Sequence, residues 1–154
     1  MVNVHASGGR AMMAAARAAA DEESSRLGRP RPTLIAVTLL TSIGDAELAL
    51  LPFRGNAAEI AAELASEAFA AGLDGVVCSA ADVARVRRVH GPGFVTVVPG
   101  IRPAGAESGD QKRFATPAAA IAAGASILVV GRPVTRASDP AAALEAIVAE
   151  IEGA

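Results

Sequence analysis

Arginines, glycines and a glutamine follow short apolar runs near the end of the chain. One run leads into residues 99–103 (Pro-Gly-Ile-Arg-Pro), and a later run leads into residues 130–135 (Val-Gly-Arg-Pro-Val-Thr). Between them lie residues 109–113 (Gly-Asp-Gln-Lys-Arg). A guanidinium group binds an oxyanion through two parallel hydrogen bonds, and glycine lets backbone amides approach a ligand closely. These three segments therefore predict a site for an anionic group, most simply a phosphate.

Four residues are the candidate ligands of this anion. Arg132 follows Gly131 at the end of an apolar run, so that an amide and a guanidinium can bind the same anion. Arg102 and Gln111 lie in the preceding loop and are predicted to close over it. Taken singly, Gly-Arg-Pro after a strand is an ordinary turn and Arg102 an ordinary surface charge. Their order and context together favour the anion site.

The bulk composition excludes several classes of protein. The chain of 154 residues is 52% hydrophobic, which suffices for one domain over residues 1–154. Its net charge of −2 and aromatic content of 3% argue against binding to nucleic acid or to an anionic membrane. The single cysteine, Cys78, has no disulfide partner, and no spacing typical of metal ligands is present. The longest uncharged apolar run is too short to cross a bilayer, so we expect a cytoplasmic protein.

Strands and helices alternate along the predicted structure. Continuous runs rich in Val and Ile indicate strands buried on both faces, as in a parallel sheet. Helical patterns between them indicate right-handed βα units. Two long loops, 41–56 and 99–116, follow predicted strands, where ligands of α/β proteins collect. The predicted strands are 2–5, 34–40, 75–78, 94–98 and 127–130, and the predicted helices are 10–26, 57–71, 80–89, 117–123 and 140–152.

This organisation predicts a fold class. A phosphate site on the loops after the last two strands is typical of the (β/α)8 TIM barrel. The chain contains only about five βα units, so the prediction is an α/β protein forming a partial barrel. In the second long helix, Ile60, Leu64 and Phe69 are predicted to form the buried face. Asp139 before Pro140 is predicted to cap the last helix.

Six blocks of the sequence, in this order, resemble orotidine 5′-phosphate decarboxylases of the bacterial type. The blocks extend over essentially the whole chain. They are residues 1–9 (Met-Val-Asn-Val-His-Ala-Ser-Gly-Gly), 37–42 (Val-Thr-Leu-Leu-Thr-Ser), 72–80 (Gly-Leu-Asp-Gly-Val-Val-Cys-Ser-Ala), 99–103, 109–111 and 130–135.

The resemblance implies a ligand, a reaction and partners. Arg102, Gln111, Gly131 and Arg132 would hold the 5′-phosphate of orotidine 5′-phosphate, and Thr41 would form a hydrogen bond with the pyrimidine. The reaction would be the loss of CO₂ to give UMP in de novo pyrimidine biosynthesis. It would need neither metal nor organic cofactor, and the enzyme would be a homodimer.

The same resemblance assigns the five strands to barrel strands four to eight. The family's catalytic motif, Asp-x-Lys-x-x-Asp on strand three, then has no counterpart here, and we expect no catalytic residue in this chain. Its one lysine, Lys112, lies in the phosphate loop, where a solvated charge is expected. Strands one to three (about 80–100 residues of a ~250-residue barrel) are expected to be encoded upstream, in a segment that was lost, split off or left out when the start was assigned. The chain is expected to form a homodimer or to need a complementing N-terminal segment, and to be inactive alone.

Two other functions stay open from the sequence. One is a non-catalytic, phosphate-binding partial barrel. The other is a different phosphosugar-acting TIM-barrel decarboxylase, such as a keto-gulonate phosphate decarboxylase. Two segments favour an orotidine 5′-phosphate decarboxylase over a different phosphosugar-acting decarboxylase: residues 109–111, and the pair Thr41 and Ser42.

Overall fold

A parallel sheet of five strands organises the structure, a computed structural model that describes residues 1–103 and 113–153. The strands are hydrogen-bonded in chain order, so each pairs with the strand before and after it in sequence. This confirms the predicted α/β class. The strands are β1 (Val2–His5), β2 (Leu34–Val37), β3 (Gly75–Val77), β4 (Val95–Val98) and β5 (Ile127–Leu128).

Helices alternate with these strands. Within residues 1–103 and 113–153, five of them match the predicted helices to within one residue at each end, and two short helices lie in segments predicted as loops. The helices are α1 (Arg10–Leu27), α2 (Asp45–Leu48), α3 (Ala57–Ala70), α4 (Ala80–His90), α5 (Pro117–Ala122), α6 (Arg132–Thr135) and α7 (Pro140–Glu152). A single 3-10 turn, Ala6–Gly8, follows β1.

The central strands are buried and the edge strands are not. All four residues of β2 are buried, as are most of those in β3 and β4. In β1, by contrast, Val2 is 50% exposed, and in β5 Ile127 is 40% exposed. The prediction of strands buried on both faces is therefore wrong for β1 and β5. Each pairs on only one side among the described residues, so no second neighbour covers it.

Helix α3 contacts the sheet through small side chains. Ile60 is buried as predicted, but Phe69 is 50% exposed, so the predicted face is wrong at its far end. The residues that pack tightly are Ala61, Ala65 and Ala68, each at most 1% exposed. Alanines at these positions let the helix lie close to the strands. The larger Phe69 lies beside the sheet instead, its ring 4.8 Å from that of His90.

Side-chain caps fix helix starts, among them those of α7 and α3. The Asp139 carboxylate accepts a hydrogen bond of 3.0 Å from the Ala142 amide at the start of α7, confirming the predicted cap. At the start of α3, Asn56 accepts from the Glu59 amide, while the Glu59 carboxylate accepts from the Asn56 amide. This reciprocal pair satisfies two amides that the helix itself leaves without partners.

An ion-pair network closes the amino edge of the sheet. The Arg31 guanidinium donates to both carboxylate oxygens of Asp74 at 2.6 and 2.7 Å, and Asp74 also accepts from the Leu34 amide. These hydrogen bonds lower the pKa of Asp74, because they favour the charged carboxylate. The loop before β2 is thereby held to the residue that precedes β3.

A second arginine fastens the same edge. The Arg87 side chain donates from α4 to the carbonyl oxygens of Gly124 (2.9 Å), Pro92 (2.6 Å) and Phe94 (2.9 Å). It also donates to the Ser126 hydroxyl at 2.6 Å. One side chain therefore joins α4 to the segments that lead into β4 and β5.

Gly75 lies where β3 and β4 approach each other closely. A Cβ atom at Gly75 would lie 2.7 Å from Cβ of Val95 and would also overlap the Val95 carbonyl oxygen. Gly75→Ala is therefore expected to lower the free energy of unfolding by about 1–3 kcal/mol. Urea denaturation followed by circular dichroism measures the change. Gly93→Ala is the control, because a Cβ there meets no atom within 4 Å. Equal stability of the two variants would contradict the tight β3–β4 contact.

Asp74 makes stability dependent on pH. Its pKa is lower in the folded state than its unfolded value of about 3.9, so its contribution is present above that value and is lost as pH falls through the folded pKa. Asp74→Asn should cost about 1–3 kcal/mol at neutral pH and progressively less in acid. Denaturation series at several pH values test this. Asp139→Asn is the control, because it also removes a carboxylate while its amide oxygen can still cap α7, so its stability at neutral pH should stay close to that of wild type. A constant difference for Asp74→Asn at all pH values would refute the interpretation.

Candidate functional site

The loops after β2, β3, β4 and β5 leave the sheet at one edge, the carboxyl edge. The register pairs Val98 of β4 with Leu128 of β5, and neighbouring strands lie about 4.8 Å apart. Arg102 and Arg132 each lie four residues beyond these paired positions. The sheet therefore places the two predicted phosphate-binding arginines on adjacent loops at the same edge.

Arg102 lies in a closed loop stem. Its amide donates to the Ala115 carbonyl at 2.9 Å, and the Ala115 amide donates back to the Gly100 carbonyl at 3.4 Å. A parallel bridge between Ile101 and Ala115 joins the outgoing and returning ends of the loop. Arg102 is only 6% exposed, and its Nη1 donates to the Ile101 carbonyl at 2.8 Å. The guanidinium is therefore held close to the sheet instead of extending into solvent.

Gly131 and Arg132 form the start of α6. The Gly131 carbonyl accepts hydrogen bonds from the amides of Val134 and Thr135, each at 3.0 Å, which closes the helical turn. Pro133 lies in the first turn, where its missing amide hydrogen costs nothing. Arg132 is half-buried and is the first helical residue. A segment predicted as a loop is thus a short helix that begins at the predicted arginine.

Thr41 lies at the same edge, in the turn after β2. It is 7% exposed, and its carbonyl accepts a hydrogen bond of 3.2 Å from the Arg113 amide. Gln111 lies outside the described residues, as does Lys112. Of the five predicted site residues, the structure therefore brings Thr41, Arg102, Gly131 and Arg132 to one edge.

An ion pair at this edge was missed by the sequence analysis. The Asp82 carboxylate, 5% exposed, accepts from the Ser79 hydroxyl at 2.8 Å and from the Ser79 amide at 3.3 Å. Arg113 Nη2 donates both to this carboxylate and to the Ser79 hydroxyl, the latter at 2.6 Å. An acidic side chain therefore reaches the carboxyl edge. It comes from the first turn of α4.

Only half of this pair had a signal in the sequence. Ser79 followed three residues later by Asp82 is the pattern of a helix start, so a carboxylate could be expected near the edge. Arg113 belonged to the motif at 109–113, yet nothing local connects it with Asp82, which lies 31 positions away. Their meeting depends on the order of β3 and β4 in the sheet.

Cavity size does not locate the site. A cavity of about 540 Å³ lies at the amino edge beside Arg31 and Asp74. Another, of about 410 Å³, lies between α3 and α4 on the outer helix layer and includes His90. A cavity of about 420 Å³ lies at the carboxyl edge, between the starts of α3 and α4, and is lined in part by Asp82 and Arg113. The third alone shares residues with the carboxyl-edge ion pair.

Comparison with known proteins assigns the chain to a family. Residues 1–147 match the family model described as Orotidine 5′-phosphate decarboxylase / HUMPS family. The chain belongs to this family. It is 53% identical over 152 residues to the orotidine 5′-phosphate decarboxylase of Hahella chejuensis, and 52% identical over 153 residues to that of Moorella thermoacetica. The match covers 99% of this chain but 63% and 61% of these two relatives, so the chain spans about three fifths of their length.

Solved structures agree on the fold. Orotidine 5′-phosphate decarboxylase of Lactobacillus acidophilus superposes with a TM-score of 0.77 at 41% identity, over 97% of this chain and 62% of that one. A more distant orotidine 5′-monophosphate decarboxylase from Sulfolobus solfataricus, 20% identical with a TM-score of 0.57, supports the fold alone. The chain is a partial barrel, as predicted. Within the described residues, no helix has the length and apolar character to span a membrane.

Cys78 directly follows β3, lies in the core beside this edge and is 1% exposed. Burial, with the negative charge of Asp82, raises the pKa of its thiol to about 12. We therefore expect the native protein to react with an aromatic disulfide reagent only through unfolding, far more slowly than in concentrated guanidinium chloride. Ala81→Cys adds an exposed thiol nearby as a control that should react at once. Rapid native labelling of Cys78 would contradict its burial.

Proposed function

We propose that this chain provides the phosphate-binding and base-binding part of an orotidine 5′-phosphate decarboxylase. The observation that carries the proposal is the placement of Arg102 and Arg132 just beyond two adjacent, in-register strands, at the carboxyl edge of the sheet. In this proposal, these two arginines bind the 5′-phosphate together with Gln111 and the Gly131 amide. Thr41, which follows β2 at the same edge, contacts the pyrimidine.

The geometry suits an anion with charge on several oxygens. Arg102 is nearly buried, and hydrogen bonds to charged groups are stronger where water is excluded. Gly131 carries no side chain, and a Cβ added there would meet no atom within 4 Å, so a ligand can approach its backbone. Phosphate binding at this distance from the reacting ring contributes by supplying binding energy that organises the site around the ring.

The five strands correspond, in this proposal, to barrel strands four to eight. Strand three would carry the lysine and aspartates of the Asp-x-Lys-x-x-Asp motif. In the reaction, the bond from the pyrimidine to the carboxylate carbon breaks, CO₂ leaves, and the electron pair stays on the ring carbon. The lysine ammonium then gives that carbon its proton. A preorganised ammonium stabilises the negative charge that develops on the ring carbon. Stabilising that charge is the main electrostatic contribution to the step.

Residues 1–154 are proposed to act as one domain, with the completed enzyme a homodimer in the cytoplasm. The exposed β1 and β5 support a complementing segment, because each has unpaired backbone groups on one side among the described residues. Light scattering of the chain with such a segment should give the mass of two complete barrels.

Complementation tests the function directly. The chain should not turn over orotidine 5′-phosphate alone, but should do so when co-expressed with the N-terminal part of the Moorella thermoacetica relative. In the complemented enzyme, Arg132→Met should lower kcat/KM by about a hundredfold or more, because a phosphate contact is lost. The absorbance change of orotidine 5′-phosphate on conversion to UMP gives the rates.

Arg136→Met is the matched control, since it removes the same charge from an exposed position one turn away. Its kcat/KM should stay near the wild-type value. Turnover of keto-gulonate phosphate in place of orotidine 5′-phosphate would show that the chain is part of a keto-gulonate phosphate decarboxylase instead. UMP binding without turnover of either substrate by the complemented protein would favour the non-catalytic partial barrel.

A further inference from the structure

We propose that Arg113 is a positioning residue of the nucleotide site, held by Asp82 and Ser79, and that it fixes both Thr41 and the stem of Arg102. The identity of the ligand rests on the proposed function, and the geometry rests on hydrogen bonds within the structure. Arg113 itself is not proposed to contact the substrate. Three contacts in series support it.

The first contact anchors the guanidinium. Arg113 Nη2 donates to both Asp82 and the Ser79 hydroxyl, and Asp82 in turn accepts two hydrogen bonds from Ser79. The side chains of Arg113 and Asp82 are 14% and 5% exposed. The arginine is therefore locked to the first turn of α4, an element fixed to the sheet by Val83 and Val86, both buried.

The second and third contacts transmit this position through the backbone. The Arg113 amide donates to the Thr41 carbonyl at 3.2 Å, which ties the loop after β4 to the turn after β2. Two residues later, Ala115 accepts from the Arg102 amide at 2.9 Å. Asp82 is thus connected, through Arg113, to one proposed base contact and one proposed phosphate contact, which follow different strands.

The energetics of the ion pair between Arg113 and Asp82 fit a positioning role better than a stabilising one. Burying an ion pair costs desolvation energy that its attraction rarely exceeds. In addition, Nη1 of Arg113 is buried and finds no hydrogen-bond partner among residues 1–103 and 113–153. The ion pair between Arg31 and Asp74 at the opposite edge is more exposed, at 20% and 25%, and joins only structural segments. It therefore provides a natural comparison within the same sheet.

Hydrogen exchange measures the positioning without any ligand. In Arg113→Met, the Arg102 amide should exchange about tenfold faster or more than in wild type, because the stem opens more often. Since removing one partner leaves Asp82 with an unpaired buried charge, the double variant Arg113→Met/Asp82→Asn is measured beside it. Arg31→Met should leave exchange at Arg102 unchanged, although it also removes an ion pair. Unchanged exchange at Arg102 in both Arg113 variants would overturn the inference.

The affinity for UMP tests whether the position of Arg113 affects nucleotide binding. It is measured by calorimetry on the full chain, well below the unfolding temperature. The Kd should rise about tenfold or more in the single and double Arg113 variants and stay within about twofold in Arg31→Met. Arg113→Lys should lie between wild type and Arg113→Met, because an ammonium keeps the charge but lacks the planar fork.

The outcomes separate the two proposals. A wild-type chain that binds no UMP, alone or complemented, refutes the proposed function, and exchange at Arg102 then decides the positioning inference by itself. UMP binding that Arg113→Met leaves intact refutes positioning while keeping the function. An equal loss of affinity in Arg31→Met would mean that general destabilisation is the cause, and would likewise overturn the inference.

Discussion

The parallel register of the sheet is the constraint on which the rest of the structure depends. Because the strands pair in chain order, every segment that follows a strand emerges at one edge, and every segment that precedes one emerges at the other. The backbone ladder continues past the strand ends, where Val129 donates to the Val98 carbonyl and Cys78 to that of Val97. Residues that are far apart in the chain are thereby held close together, in the loops at one edge of the sheet.

The two edges use arginine differently. At the amino edge, Arg31 and Arg87 bind carboxylate and carbonyl groups of segments that enter strands, which fastens neighbouring βα units together. At the carboxyl edge, Arg102 and Arg113 lie in the two halves of one loop stem, each close to the sheet. The same chemical group thus stabilises the fold at one edge and organises a candidate ligand site at the other.

Much of this fold could be predicted from local patterns. Continuous Val- and Ile-rich runs indicated all five strands, and Asp139 before Pro140 indicated the start of α7. The predictions were wrong where neighbours decide burial. The exposure of β1 and β5 follows from pairing on one side only, and the exposure of Phe69 follows from the close approach of alanines along α3. Neither effect can be seen in the periodicity of a single segment.

The candidate site shows the same division. Arg102 and Arg132 could be predicted because each follows its own strand at a similar distance, and parallel strands bring such residues together. Thr41 was expected from the resemblance; it is buried at the same edge, and its contact with the pyrimidine stays a prediction. The contact between Arg113 and Asp82 could not be predicted, since it requires α4 and the loop after β4 to be neighbours. Gln111 lies outside the described residues and stays a prediction.

The position of Arg132 connects ligand binding with the open edge of the partial barrel. Its loop follows β5, a strand of two residues that pairs only with β4 among the described residues and is partly exposed. Arg102 follows β4, which has neighbours on both sides. The loop of Arg132 is therefore less firmly held by neighbouring strands than the loop of Arg102. A strand added beside β5 would restrict the Arg132 loop and so lower the conformational entropy that is lost when the phosphate binds. Completing the barrel and binding the nucleotide should therefore favour each other.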